Sequence, residues 1–209
     1  MDMTATVALA AGAAWASGIN AYAVLFMLGA LGATGYLELP PHLVVLTDPL
    51  VIIAAGIMYC VEFFADKTPG VDSAWDAIHS FIRIPAGAIL AAATFGHMDP
   101  ALQIAAFLLG GGLAAASHIT KAGSRILINT SPEPFTNWAA SLGEDVVVVG
   151  ALWTALRHPL VFLVLLALAL ALTILALPRL WRGIARLGAR IRRFFGGEVE
   201  TPPQLPGHS

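Results

Sequence analysis

The sequence predicts an all-α integral membrane protein, a polytopic transmembrane helix bundle of about six spans with broken or re-entrant segments and a C-terminal amphipathic helix. Of its 209 residues 58% are hydrophobic and only 11% are charged, with a mean hydropathy of +0.80. That is more apolar surface than a soluble domain of this size hides in its core. Apolar runs of about 20 residues, enough to cross the hydrocarbon layer, recur along the chain. The polar residues that interrupt them are concentrated rather than scattered, most densely between Glu62 and Arg83.

The first span is expected over 4–33, interrupted by Ser17, Gly18 and Asn20. The opening Met1-Asp2-Met3-Thr4 has no basic stretch, and the apolar run outlasts a signal-peptide core without a clear cleavage site, so the segment reads as retained. Asp48-Pro49 reads as an N-cap followed by proline at the first helical position, which starts a second span at 49–65. A third helix is expected over 72–96, kinked at Pro85, with a polar first half and an apolar second half. The fourth is expected over 100–119, where Gly110, Gly111 and Gly112 permit close helix approach or a break. Ser131-Pro132-Glu133-Pro134 reads as the start of a fifth span ending near Leu156, and 159–177 is the sixth. The transmembrane domain is thus 1–177.

Beyond it, Leu180, Ile184, Leu187, Ile191 and Phe194 alternate at helical spacing with Arg179, Arg182, Arg186, Arg190 and Arg193. This predicts a basic interfacial helix over 178–195 lying on anionic lipid headgroups, followed by a disordered tail over 196–209. Because that helix follows a span directly, the bilayer and not a nucleic acid is the expected partner; homo-oligomer formation stays open. With six spans and both termini on one side, that side receives ten of the eleven Lys and Arg residues, Arg157 alone falling opposite. The bias of basic residues toward the cytoplasm then predicts a bacterial inner-membrane protein with both termini cytoplasmic.

The charged residues form a pattern once placed on helices. Asp72, Asp76, His79 and Arg83 are spaced four, three and four, one stripe on one face. His118, Lys121, Arg125 and Asn129, spaced three, four and four, make a second and more basic stripe. Glu62 and Asp66 share a face at the end of the second span beside Lys67, while Glu133, Glu144 and Asp145 add carboxylates around the fifth. Charges at membrane depth cost roughly 2.5–3.5 kcal/mol each, so they persist where they pair, line a wet cavity or act on a substrate.

Three readings follow. The stripes neutralise each other as a structural lock, for example Asp72 or Asp76 with Lys121 or Arg125. Alternatively they form a transport pathway, with Glu62, Asp66, Asp72 and Asp76 binding a cation or protons and Lys121 and Arg125 as counter-charges. In the third, the same four carboxylates hold a divalent metal and the basic stripe holds a phosphate or phospholipid headgroup, as an intramembrane enzyme requires. The transporter or permease is the function expected first, with Asn20, Asn129 and Asn137 as neutral ligands. No cofactor is required by the sequence, although a divalent cation fits the second and third readings.

Other chemistries lack their motifs: there is no G-x-S-x-G elbow, phosphate-binding P-loop, dinucleotide fingerprint or H-E-x-x-H pair. The single Cys60 has no partner within the chain for a disulfide or thiolate site. His79 reads either as a hydrogen-bonded structural histidine or as a proton shuttle, and His42, His97 and His158 as interfacial polar residues at span ends. The tryptophans read as packing or interface anchors.

Three strings carry a family resemblance: SGINAY at 17–22, VEFFADKTPGVDSAWDAIHSFIR at 61–83, and SHITKAGSRILINTSPEPFTNW from 117 with the SLGED that follows. Over about 4–175 the chain resembles the bacterial membrane family known as domain of unknown function 4126, which implies a multi-span protein and supplies no reaction or ligand. Residues 62–68 are also similar to the E-x-G-D-K-(S/T) signature of manganese and calcium transporters. They carry one extra residue between Glu62 and Asp66, with Ala65 in place of the glycine, and there is no second copy. The stretch from Asn129 to Glu133 is similar to the T-S-x-P-E string of cation exchangers, without its spacer.

Overall fold

A computed structural model of the chain describes residues 2–68, 70–96, 98–129 and 134–195. The described residues are all-helical, in the order α1 (Met3–Ala33), a 3₁₀ turn (Pro41–Thr47), α2 (Pro49–Ala65), α3 (Val71–Thr94), α4 (Pro100–Ile128), α5 (Pro134–Arg157) and α6 (Pro159–Phe195). Five of them, α1, α3, α4, α5 and the 159–179 part of α6, are long and apolar enough to cross a membrane, and α2 with the 3₁₀ turn, bent by 70°, brings the number to six if that pair is one span.

Local chemistry sets the helix starts. Asp2, Asp48 and Asp99 each accept a hydrogen bond from a first-turn amide, that of Ala5, Leu50 and Ala101 respectively, and Pro49 and Pro100 follow their caps directly. At the start of α3 the cap is Gly70, whose φ of 84° favours glycine. Asp72 Oδ1 reaches back to the Gly70 amide at 2.9 Å and the Ser73 amide at 2.6 Å.

The largest departure from expectation is α1. Its 31 residues would measure roughly 46 Å if straight, yet Ala5 near its start and Tyr36 and Leu37 just past its end line one groove. Phe95 packs with Ala10 and Ala14 of the first half, while Gly96 abuts His42 of the 3₁₀ turn that follows the second half. The chain therefore doubles back at Asn20, whose φ of −150° and ψ of 96° interrupt the helix. Two legs, 3–19 and 21–33, make a re-entrant hairpin with Asn20 at the tip. Leu9, Ala13 and Ala16 of one leg share a core with Val24 and Leu28 of the other. The Asn20 carboxamide oxygen accepts from the Ala23 amide at 2.9 Å and so caps the returning leg.

This hairpin is the hub of the bundle. Its first leg lies against α3 and α4 at small residues, where Gly18 is so close to α4 that a Cβ there would overlap the Ala114 carbonyl and the Ser117 hydroxyl. On its other side Gly12 meets Ala155 and Phe162, and Ala8 joins the same apolar cluster of α5 and α6. The second leg runs along α2, with Gly29 near Ile52 and Phe26 near Gly56. Because α1 returns, Met3 and the start of α6 share one end of the bundle and Arg179 lies near the other, about 30 Å along α6 from Pro159. Met3 and Arg179 thus do not share an end, as a crossing by 4–33 had implied. The fourth helix also exceeds its expected end at 119, because Lys121 and Arg125 are buried against other helices instead of facing an interface. Residues 178–195 continue α6 through Pro178 as one helix. Glu133 and the tail 196–209 lie outside the described residues, as do the side chains that would set the two faces of 186–195.

Single cysteines test the hairpin in a Cys60→Ser background, Cys60 being exposed. Asp2→Cys and Glu38→Cys are expected to react with a membrane-impermeant maleimide from the same side of oriented vesicles, and Thr68→Cys from the other. Asp2 and Glu38 labelled from opposite sides would mean that α1 crosses.

Candidate functional site

The two predicted stripes face each other. Asp72, Asp76, His79 and Arg83 of α3 and His118, Lys121 and Arg125 of α4 are all buried. Arg83 bridges two elements, its guanidinium donating to Glu62 Oε1 of α2 at 2.7 Å and to Asp76 Oδ1, two stripe positions back on α3, at 2.5 Å. Lys121 Nζ lies 2.6 Å from Asp66 Oδ2, with Glu144 Oε2 at 3.5 Å, Asp76 Oδ1 at 3.6 Å and Glu62 Oε1 at 3.9 Å. Arg125 forks onto Glu144 of α5 through Nε at 3.0 Å and Nη2 at 2.5 Å, the bidentate geometry that favours arginine over lysine. Its Nη1 donates to the Asp66 carbonyl at 2.9 Å and to Asn137 Oδ1 at 2.5 Å. Asn129 closes the end of the ladder by donating to both Asp72 oxygens, at 2.7 and 2.9 Å, and to the Ser73 hydroxyl at 3.0 Å.

The hairpin tip reaches into this cluster. A break inside a bundle at membrane depth leaves carbonyls that need donors, and α4 supplies them: Lys121 Nζ donates to the Ile19 carbonyl at 3.1 Å and the Ser117 hydroxyl to the Trp15 carbonyl at 2.6 Å. The ring nitrogens of His118, the residue after Ser117, meet the Ser80 hydroxyl at 2.7 Å and Arg83 Nη1 at 3.4 Å. Ser17 donates to the Arg83 carbonyl at 3.1 Å. The SGINAY string is thus the chemistry of the tip, and the two longer strings supply the charges around it.

Lys67 and Asp145 stand beside the cluster. Lys67 Nζ sits 2.9 Å above the Phe63 ring and donates to the Phe63 carbonyl and the Ser141 hydroxyl, both at 3.2 Å. Burial pushes its ammonium below the usual lysine pKa, while the nearby Asp145 and Asp66 carboxylates oppose that shift. His79 departs from its stripe: its Nδ1 meets the Trp75 carbonyl at 2.9 Å, its ring stacks on Trp75, and Tyr22 meets it edge-on. That is a packed structural histidine. Asn137, Ser141, Glu144 and Asp145 recur at helical spacing on α5, a third polar stripe whose Asn137, Glu144 and Asp145 were expected singly and whose Ser141 was not.

Two properties of the site matter chemically. Among the described residues the ion pairs join five carboxylates, Glu62, Asp66, Asp72, Asp76 and Glu144, to three cations, Arg83, Lys121 and Arg125. Lys67 and Asp145 add one charge of each sign and leave the acidic excess unchanged. In addition, Glu62 Oε2, Asp66 Oδ1 and Asp76 Oδ2 are buried with no hydrogen-bond partner. No three His, Cys, Asp or Glu side chains among the described residues converge in the geometry of a metal site. The four carboxylates expected to gather round a divalent cation each face a Lys, Arg or Asn side chain instead.

A helical bundle with spans of membrane length and a charged centre defines a polytopic membrane protein. The chain belongs to the family described as Domain of unknown function (DUF4126), whose model matches residues 7–179. No curated protein and no solved structure matches it.

Arg83→Met strips both Glu62 and Asp76 of their shortest partner, a change expected to cost about 3–5 kcal/mol. Thermal unfolding in detergent should show a large fall in Tm, and Arg83→Met with Glu62→Gln should recover part of it. A single variant as stable as the wild type would mean that the bridge is not formed.

Proposed function

We propose that the protein is a small transporter or permease whose intramembrane site takes up a cation or is coupled to protons. The observation that carries this reading is the acidic excess of the cluster, together with the unpartnered oxygens of Glu62, Asp66 and Asp76. A lock serving only stability has no use for unbalanced charge, since buried pairs already add little net stability and each uncompensated charge is costly. The broken α1 supports it too: transporters build sites where interrupted helices turn backbone carbonyls toward an ion, and the Ile19 carbonyl points to a cation in that way. Glu144 is the opening on this reading, because it is 19% exposed while Glu62, Asp66, Asp76, Arg83, Lys121 and Arg125 are 0–6% exposed.

The orientation belongs to the same proposal. The Arg179 end of α6 carries the basic cluster and faces the cytoplasm of a bacterial inner membrane, its arginines on anionic headgroups; the two ends of the α1 hairpin and Arg157 then face the opposite side. The site lies toward the cytoplasmic end, where α2 gives way to α3 and α4 to α5.

The closed ion pairs favour one competing reading, the structural lock, and the two differ in flux. In proteoliposomes holding a pH-sensitive dye and challenged with gradients of protons, ammonium, alkali and divalent cations, the wild type is expected to move at least one of them. Glu62→Gln, which keeps an acceptor for Arg83, is expected to retain its Tm and lose that flux. No movement of any ion by the wild type, or equal movement by a folded Glu62→Gln, would leave only the lock.

A further inference from the structure

Five oxygens from four segments surround the Lys121 ammonium: Asp66 Oδ2 at 2.6 Å, the Ile19 carbonyl at 3.1 Å, Glu144 Oε2 at 3.5 Å, Asp76 Oδ1 at 3.6 Å and Glu62 Oε1 at 3.9 Å. The hairpin tip, the end of α2, α3 and α5 each contribute, and Lys121 enters from α4. We propose that this cage is a cation site in its own right, occupied in this conformation by the tethered ammonium of Lys121 and taken by an ammonium-sized monovalent cation when the lysine withdraws. The proposal rests on the transport reading and names its substrate class.

Charge, size and the nature of the tether each support it. Without Lys121 the cage keeps four carboxylates, and three of them, Glu62, Asp66 and Asp76, are almost wholly buried and carry a second oxygen with no partner. Such a pocket has more acceptor capacity than one ammonium with three N–H groups uses. The size argues against a small divalent ion: Mg²⁺ requires oxygens at about 2.0–2.1 Å and Ca²⁺ six to eight at about 2.3–2.6 Å. Here only Asp66 is at charge-assisted hydrogen-bond distance, while Glu62 Oε1 and Asp76 Oδ1, held by Arg83, and Glu144 Oε2, held by Arg125, stand about an ångström further off, too far to close on a small divalent ion. Lysine also suits a group that leaves. Its charge is a point on a four-carbon stem, whereas Arg83 and Arg125 are held by planar, multi-donor contacts.

The test is chemical rescue. Lys121→Ala opens the cage, and its Tm in detergent is expected to fall and then rise by several degrees, saturably, on adding ammonium or methylammonium chloride at concentrations that leave the wild type unchanged. Tetramethylammonium, too large and without an N–H, is expected to do nothing; a rise with potassium chloride as well would extend the site to alkali ions of ammonium size. Where Lys121→Ala does not fold, Lys121→Ala with Glu62→Gln keeps the wild-type charge balance, leaves Asp66, the nearest cage oxygen, in place and is read in the same way. The proposal is overturned if the folded variant responds to none of ammonium, methylammonium and potassium, or responds equally to tetramethylammonium. Rescue reads binding and not flux, so rescue without transport in proteoliposomes would remove the transport reading and leave the site, and transport without rescue would do the reverse.

Discussion

A peptide carbonyl at membrane depth has no water to turn to, and that constraint at Asn20 organises the rest of the molecule. Once α1 breaks there, its last carbonyls need donors, and Ser117 and Lys121 of α4 provide them. A buried ammonium then requires carboxylates, which α2, α3 and α5 bring in as Glu62, Asp66, Asp76 and Glu144. Arg83 and Arg125 hold those carboxylates in turn. Small residues make the approach feasible, since Ala14, Gly18, Gly87, Gly110 and Ala114 let three helices meet backbone to backbone.

Much of the site was legible in the chain. The spacing of Asp72, Asp76 and Arg83, and of Lys121, Arg125 and Asn129, identified two faces of opposite charge because helical periodicity survives whatever surrounds it. The third face on α5 was visible only in part: Asn137, Glu144 and Asp145 stood out singly, while Ser141 is small and neutral and does not stand out from an ordinary helix. His79 fits its stripe by spacing yet serves Trp75, because spacing reports a shared face and not the neighbour across it. The caps at Asp48 and Asp99 were readable from the proline that follows each.

The hairpin was not legible in the same way. Hydropathy counts apolar length and is blind to direction, so 31 apolar residues read as one crossing even though the chain reverses at a single residue. The only local signal was the polar interruption at Ser17, Gly18 and Asn20, which a kinked span would also contain. What distinguishes the two is tertiary: the donors that stabilise the break lie about a hundred residues away in sequence, on α4. The length of α4 was underestimated for a related reason, its last turns being polar because they are buried among charges.

That separation has a consequence for how the protein is made. Lys121, which will hold the tip at Ile19, follows it by 102 residues, and α5, which flanks the first leg, is made later still. In the interval the segment is simply a long apolar stretch that an insertion machinery would admit as a spanning helix. The side chains that satisfy the broken backbone at Ile19 therefore do not yet exist when the first thirty residues are made, and the finished contacts at the tip require α4.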